Sequence, residues 1–197
     1  QDALTVAAAV EYADKSANRP AYGWGRKLTL RVPVFELCHW RRDDVSASLV
    51  DALSFLTGDN WSIKFVQRSV ISSERSQEPL ALQLPAQAVL AYSDGLDSRA
   101  LAGIVGAELK DALVCVRLGA RSRAASGRIG RTPFTGIPYA VHVDKVRESS
   151  GRSRGFKFAM LSGIAAYLVD SPIILVPESG QGALGPVIVT AAHAYPD

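Results

Sequence analysis

Hydrophobic positions recur along this 197-residue chain in two periods, and the switches between them mark out its elements. Ala3 to Lys15 is alanine-rich and reads as a helix, ended by the proline and two glycines between Ser16 and Gly25. Leu28 to Phe35 alternates as a strand does, and Pro33 within it points to an edge or a bulge. Asp43 and Asp44 open a helix with Val45, Leu49, Ala52, Leu53 and Leu56 on its apolar face and Gly58 at its end. Trp61 to Arg68 reads as a further strand. Ala88 to Ala91 is apolar at every position, as in a strand buried on both faces, and Leu101, Ile104, Val105 and Leu109 then follow at helical spacing. Ala112 to Leu118 and Tyr139 to Val146 read as second and third buried strands. Leu161, Ile164, Ala165 and Leu168 form one face of a helix, and Ile173 to Val176 a fourth strand. Strands alternating with helices predict an α/β fold with a parallel sheet and a ligand cleft at the carboxyl ends of its strands. Residues 1–84 carry no convergent acid, base or metal cluster, so they read as a small α+β appendage with a packing or dimer-contact role. Residues 85–197 form the main domain.

The junction between the all-apolar run and the helix behind it is the most informative place in the chain. Ser93, Asp94, Gly95, Leu96, Asp97 and Ser98 make a small polar turn, with Asp97 or Ser98 available as N-cap. An oxyanion there would meet unpaired N–H groups and the positive end of a helix. The plain alternative is an Asp-Gly turn followed by a cap.

Composition leaves the class open but narrows the setting. At 48% hydrophobic, the chain can bury one substantial core, or a main domain with an appendage. No stretch nears ~20 uninterrupted apolar residues and no secretory leader is visible, which predicts a cytoplasmic protein. Cys38 and Cys115 stand far apart in apolar surroundings, are expected to be buried reduced thiols, and cannot form a zinc site alone. The formal charge of +3 hides an asymmetry: Arg117 to Lys157 holds ten basic residues against two acids, or +8, leaving −5 elsewhere. Such a segment can hold nucleotide phosphates, touch nucleic acid or face solvent. It lacks interleaved aromatics and a nucleic-acid module, which argues against RNA and DNA. Within it, Gly119 to Pro138 reads as a long lid, substrate loop or disordered stretch. Arg154 and Lys157 stand at a helix start, where cations are unfavourable unless an anion sits there too, and this favours a phosphate-binding role. The G-x-G-x-x-G at residues 180–185 follows a strand but runs into Pro186 and a β-branched stretch, so it is not a dinucleotide fingerprint. Its glycines, Gly180 first, suit close approach of the backbone to a flat ligand.

The turn at residues 93–98, as Ser-x-Gly-x-Asp-Ser, resembles the Ser-Gly-Gly-x-Asp-Ser loop of the PP-loop ATP pyrophosphatases, with Asp94 where the family has glycine. Arg154, Gly155 and Phe158 resemble the Arg-Asn-x-x-Phe element of the 7-cyano-7-deazaguanine synthases, and Tyr195, Pro196 and Asp197 match their Tyr-Pro-Asp triplet. Trp40 and the run Phe55 to Trp61 resemble the leading domain on homologues of these enzymes in bacterial anti-phage operons.

The resemblance implies an adenine nucleotide alpha hydrolase-like, Rossmann-like domain and an ATP-dependent carbon–nitrogen ligase. Such an enzyme adenylylates 7-carboxy-7-deazaguanine and passes the acyl group to ammonia, or to a protein amine in a defence system. It implies ATP with Mg²⁺, held by Ser93, Asp94, Gly95, Leu96, Asp97 and Ser98, with adenine received by the backbone near Val116 and Leu118. It gives Asp97, Arg154 and Lys157 catalytic roles, and Gly180, Tyr195 and Asp197 substrate contacts. No protein-bound metal site is expected, and the family's four-cysteine zinc lobe either lies beyond a truncated carboxyl terminus or is lacking in this member. The partners it suggests are a homodimer and a protein acceptor encoded in the same operon, with no membrane. Two other readings stay open: a tRNA-modifying or amidotransfer pyrophosphatase, and a degenerate nucleotide-binding subunit of a defence complex.

Overall fold

The computed structural model describes residues 1–18, 20–69, 86–93, 95–118, 126–129, 132–137, 139–149 and 151–177. The chain divides into two compact units: 1–78 with 140–161, and 79–139 with 162–197. The sequence places the 140–161 segment in the main domain, whereas here it belongs with the amino-terminal unit.

In the first unit, helix α1 (Asp2–Ser16) precedes strand β1 (Lys27–Val34), the short helix α2 (Leu37–Trp40), helix α3 (Asp43–Thr57) and strand β2 (Asn60–Gln67). β1 and β2 pair in parallel, Lys27 opposite Asn60 through Val34 opposite Gln67. Parallel strands need a crossover, and α2 with α3 provide it. One face of the pair, Leu28, Val32 and Val34 with Trp61 and Phe65, is buried against Val6 and Val10 of α1, Leu49 and Leu53 of α3, and Phe156. The other face, including Lys27, Thr29, Arg31, Ser62 and Lys64, is largely exposed. This one-sided burial is why the strands alternate legibly in sequence. Val34 O accepts from Arg68 N across the pair, so the backbone of the preceding Pro33 points to the outer edge, where its missing N–H costs no ladder bond.

α3 buries Leu49, Leu53 and Thr57, while Leu56, expected on the apolar face, is 47% exposed. Its end is closed by Gly58 at φ +68, and a Cβ built there would lie 2.6 Å from Trp24 Cδ1. Trp24 is itself fixed by its Nε1–H donating to Thr57 O at 3.1 Å. Gly58→Ala combines left-handed strain with a steric clash and is expected to cost about 1–3 kcal/mol. The denaturation midpoint followed by tryptophan fluorescence reads this directly, and an unchanged midpoint would show that the Trp24 contact yields freely. Cys38, expected buried, is exposed on α2, because that single turn buries no side chain. Cys115 is buried, and desolvation pushes its thiol up to about 12.

The second unit holds strand β3 (Ala88–Tyr92), helix α4 (Leu96–Leu109), a 3₁₀ turn (Lys110–Ala112), strand β4 (Leu113–Leu118), strands β5 (Ser126–Ile129) and β6 (Thr132–Ile137), and strand β7 (Ile174–Leu175). Helix α5 (Arg154–Leu168) begins in the first unit and ends in the second. The sheet order is β5-β6-β4-β3-β7, with β6, β4, β3 and β7 parallel and β5 antiparallel at one edge. Every residue of β3 is buried, as its unbroken apolar run requires of a central strand. α4 presents Ser98, Ala102 and Gly106 as its buried positions, small residues that let it lie close to the sheet. Ile104, expected on the apolar face, is 66% exposed.

The third parallel strand is not Tyr139 to Val146, which forms no regular element, but β6, inside the stretch expected to be a loop. Pro133 and Gly136 obscured it. Pairing of β6 with β4 begins at Phe134, opposite Cys115, so Pro133 lies outside that ladder and its missing N–H does not weaken it. Mixed α/β architecture with small parallel sheets is compatible with a Rossmann-like fold.

Candidate functional site

β4 lies on one side of β3 and β7 on the other, so chain direction across the sheet reverses at the carboxyl end of β3. Open α/β sheets bind ligands at such a switch point. The Ser93 to Ser98 turn stands there, with Gly95 as N-cap of the 14-residue α4 rather than Asp97 or Ser98. Arg99 N bonds Gly95 O at 3.1 Å, leaving the first-turn amides of Leu96, Asp97 and Ser98 without an intrahelical acceptor. Gly95, Leu96 and Asp97 are exposed, whereas Ser98 is buried.

Three hydrogen bonds tie the turn together. Ser98 Oγ donates to Gly95 O at 3.0 Å and accepts from Ser93 N at 3.3 Å, and the two hydroxyl oxygens lie 3.2 Å apart. A Cβ on Gly95 would lie 3.3 Å from Ser93 Oγ, so glycine keeps that hydroxyl uncrowded. Asp94 lies outside the described residues.

On β4, Val116 pairs with Ala91 on one side and Thr135 on the other, which encloses its backbone within the sheet. Leu118 pairs with Ile137 beyond the last β3 partner, so its backbone is the one that reaches the sheet's carboxyl edge. Between them, half-buried Arg117 is in register with Tyr92. Its only signal in the sequence was a charge at the end of a buried strand, and it passed as one member of the basic segment.

Arg154 and Lys157 belong to the first unit. In the first unit, Ser153 N and Oγ both donate to Asp14 Oδ2 at 2.8 Å, so a carboxylate from α1 caps α5. Lys157 Nζ lies 3.0 Å from Glu11 Oε1, which Lys15 also reaches. Arg154 is exposed, with its guanidinium 5.7 Å from the Phe158 ring centroid. The anions that a cationic helix start requires are therefore Asp14 and Glu11, and the phosphate that sequence reasoning invoked for this helix is not needed.

The same network runs deeper. Arg26 bonds Asp59 and Asp14, while Arg152 lies 3.1 Å from Asp59 Oδ1 and 3.3 Å from Glu148 Oε2, with its guanidinium 4.0 Å from the Trp24 ring centroid. Burial raises the Asp59 carboxyl, but hydrogen bonds from Arg26 and the charges of Arg26 and Arg152 outweigh it and hold the group below the ordinary carboxylate range. Glu11 is likewise raised by burial and lowered further by Lys15 and Lys157.

Gly180, Tyr195 and Asp197 lie outside the described residues, as does the rest of the glycine-rich stretch at 180–185. Among the described residues, no group of three or more His, Cys, Asp or Glu side chains could hold a metal ion, and no helix is long and apolar enough to cross a membrane. No family model, curated protein or solved structure matches the chain.

Proposed function

We propose that this chain binds ATP at the β3–α4 turn and adenylylates a carboxylate, then transfers the acyl group to nitrogen, as in the 7-cyano-7-deazaguanine synthases it resembles. The observation that carries this reading is a Ser-x-Gly-x-Asp-Ser turn at a parallel-sheet switch point, where the first-turn amides of α4 have no intrahelical acceptor. The donor set fits a pyrophosphate: backbone N–H groups, one half-buried hydroxyl at Ser93, and the positive end of a helix. Mg²⁺ would arrive with the nucleotide and be held mainly by its phosphates. Attack of the carboxylate oxygen on the α-phosphorus expels pyrophosphate, and the turn's part is to hold that leaving group in line and neutralise its charge. The deazapurine substrate rests on the resemblance of Tyr195 to Asp197.

A second reading, a nucleotide-binding subunit of a defence complex without turnover of its own, draws support from the engagement of Lys157 by Glu11. Incubation with ATP, Mg²⁺, 7-carboxy-7-deazaguanine and ammonia separates the two. AMP and pyrophosphate are expected, without orthophosphate. Calorimetric ATP binding without turnover would favour the second reading, and absence of binding would overturn both.

A further inference from the structure

We infer that Ser98 is a positioning residue that aims the Ser93 hydroxyl and does not itself touch the ligand; this rests on the nucleotide-binding reading above. A hydroxyl carries one proton and two acceptor sites. Ser98 Oγ spends its proton on Gly95 O at 3.0 Å and accepts from Ser93 N at 3.3 Å. The remaining contact, Ser93 Oγ to Ser98 Oγ at 3.2 Å, must then be donated by Ser93. Burial points the same way, since Ser98 is 1% exposed while Ser93 is half-buried. Only the Ser93 proton can therefore turn outward, exchanging Ser98 for an incoming phosphate oxygen by a side-chain rotation. Ser98 continues to hold the Ser93 amide and the Gly95 carbonyl while this happens. Without Ser98, the Ser93 hydroxyl has no hydrogen-bond partner among the described residues of the turn to set its rotamer, and the bond between the end of β3 and the first turn of α4 is lost.

A double-mutant cycle tests this, with inorganic pyrophosphate and ATP as probes in calorimetry on the full chain. Ser93→Ala is expected to weaken binding about tenfold and Ser98→Ala about three- to tenfold. In the Ser93→Ala background, Ser98→Ala should cost clearly less than in the wild type, because the hydroxyl it aims is already gone and only its two backbone bonds remain to be lost. Ser98→Thr, which keeps the hydroxyl, should bind within about twofold of wild type. Equal losses from Ser98→Ala in both backgrounds would show that Ser98 does not act through the Ser93 hydroxyl and would overturn the inference alone. A wild-type chain that binds neither probe would overturn the nucleotide reading and the inference with it.

Discussion

Arg26→Leu is expected to lower the stability of the first unit by about 3–5 kcal/mol, the largest effect of any single charge removal in that unit. Arg26 is 5% exposed, donates to Asp59 Oδ1 through its own N–H at 2.8 Å, and uses its guanidinium on Asp59 and Asp14. Removing it leaves two carboxylates buried with fewer partners, and the cost of burying uncompensated charge exceeds what the pair gained on forming. All three tryptophans, Trp24, Trp40 and Trp61, lie in this unit, so the denaturant midpoint by fluorescence reports on it alone. A shift worth less than about 1 kcal/mol would mean that water or Arg152 compensates the carboxylates fully. Acid offers a check of opposite origin. The folded-state Asp59 and Glu11 carboxyls are depressed, so the stability they contribute is present above their ordinary values near 4 and is lost as pH falls through the lower folded ones. The wild-type unit should thus lose stability steeply below about pH 4, and Asp59→Asn, already destabilised at neutral pH, should show a flatter acid limb.

Leu90→Ala is expected to cost the second unit about 2–5 kcal/mol. Leu90 is fully buried at the centre of β3, packs in a cluster with Tyr92, Ala102 and Cys115, and belongs to a strand flanked on both sides, by β4 and β7. Truncation removes transfer energy and leaves a cavity between the sheet and α4 that neighbours in a parallel ladder cannot collapse to fill. Amide exchange of Val89 to Tyr92 and Val114 to Val116 should accelerate accordingly. If it does not, the β3–α4 contact is softer than this packing implies.

What the sequence determined about this protein is what neighbours in the chain decide. The all-apolar run at Ala88 to Ala91 had to be a strand covered on both faces, Gly58 had to end a helix because left-handed backbone favours glycine, and Pro33 had to sit at an edge or a bulge because it has no proton to donate. The strand-to-helix turn at Ser93 to Ser98 was legible for the same reason, since its hydrogen bonds span at most five residues. Tertiary structure alone decided where the charges went. Ser153 meets Asp14 across 139 positions and Arg152 meets Asp59 across 93, distances over which a one-dimensional pattern carries no pairing information. A cationic helix start announces that an anion is near, but the Coulomb term is the same for a phosphate as for a carboxylate of another helix, and only the fold could show that Asp14 and Glu11 fill that place. The same holds for β6: a strand containing proline and glycine earns its place from the partner it pairs with, and its register against β4 exists only once the sheet is assembled.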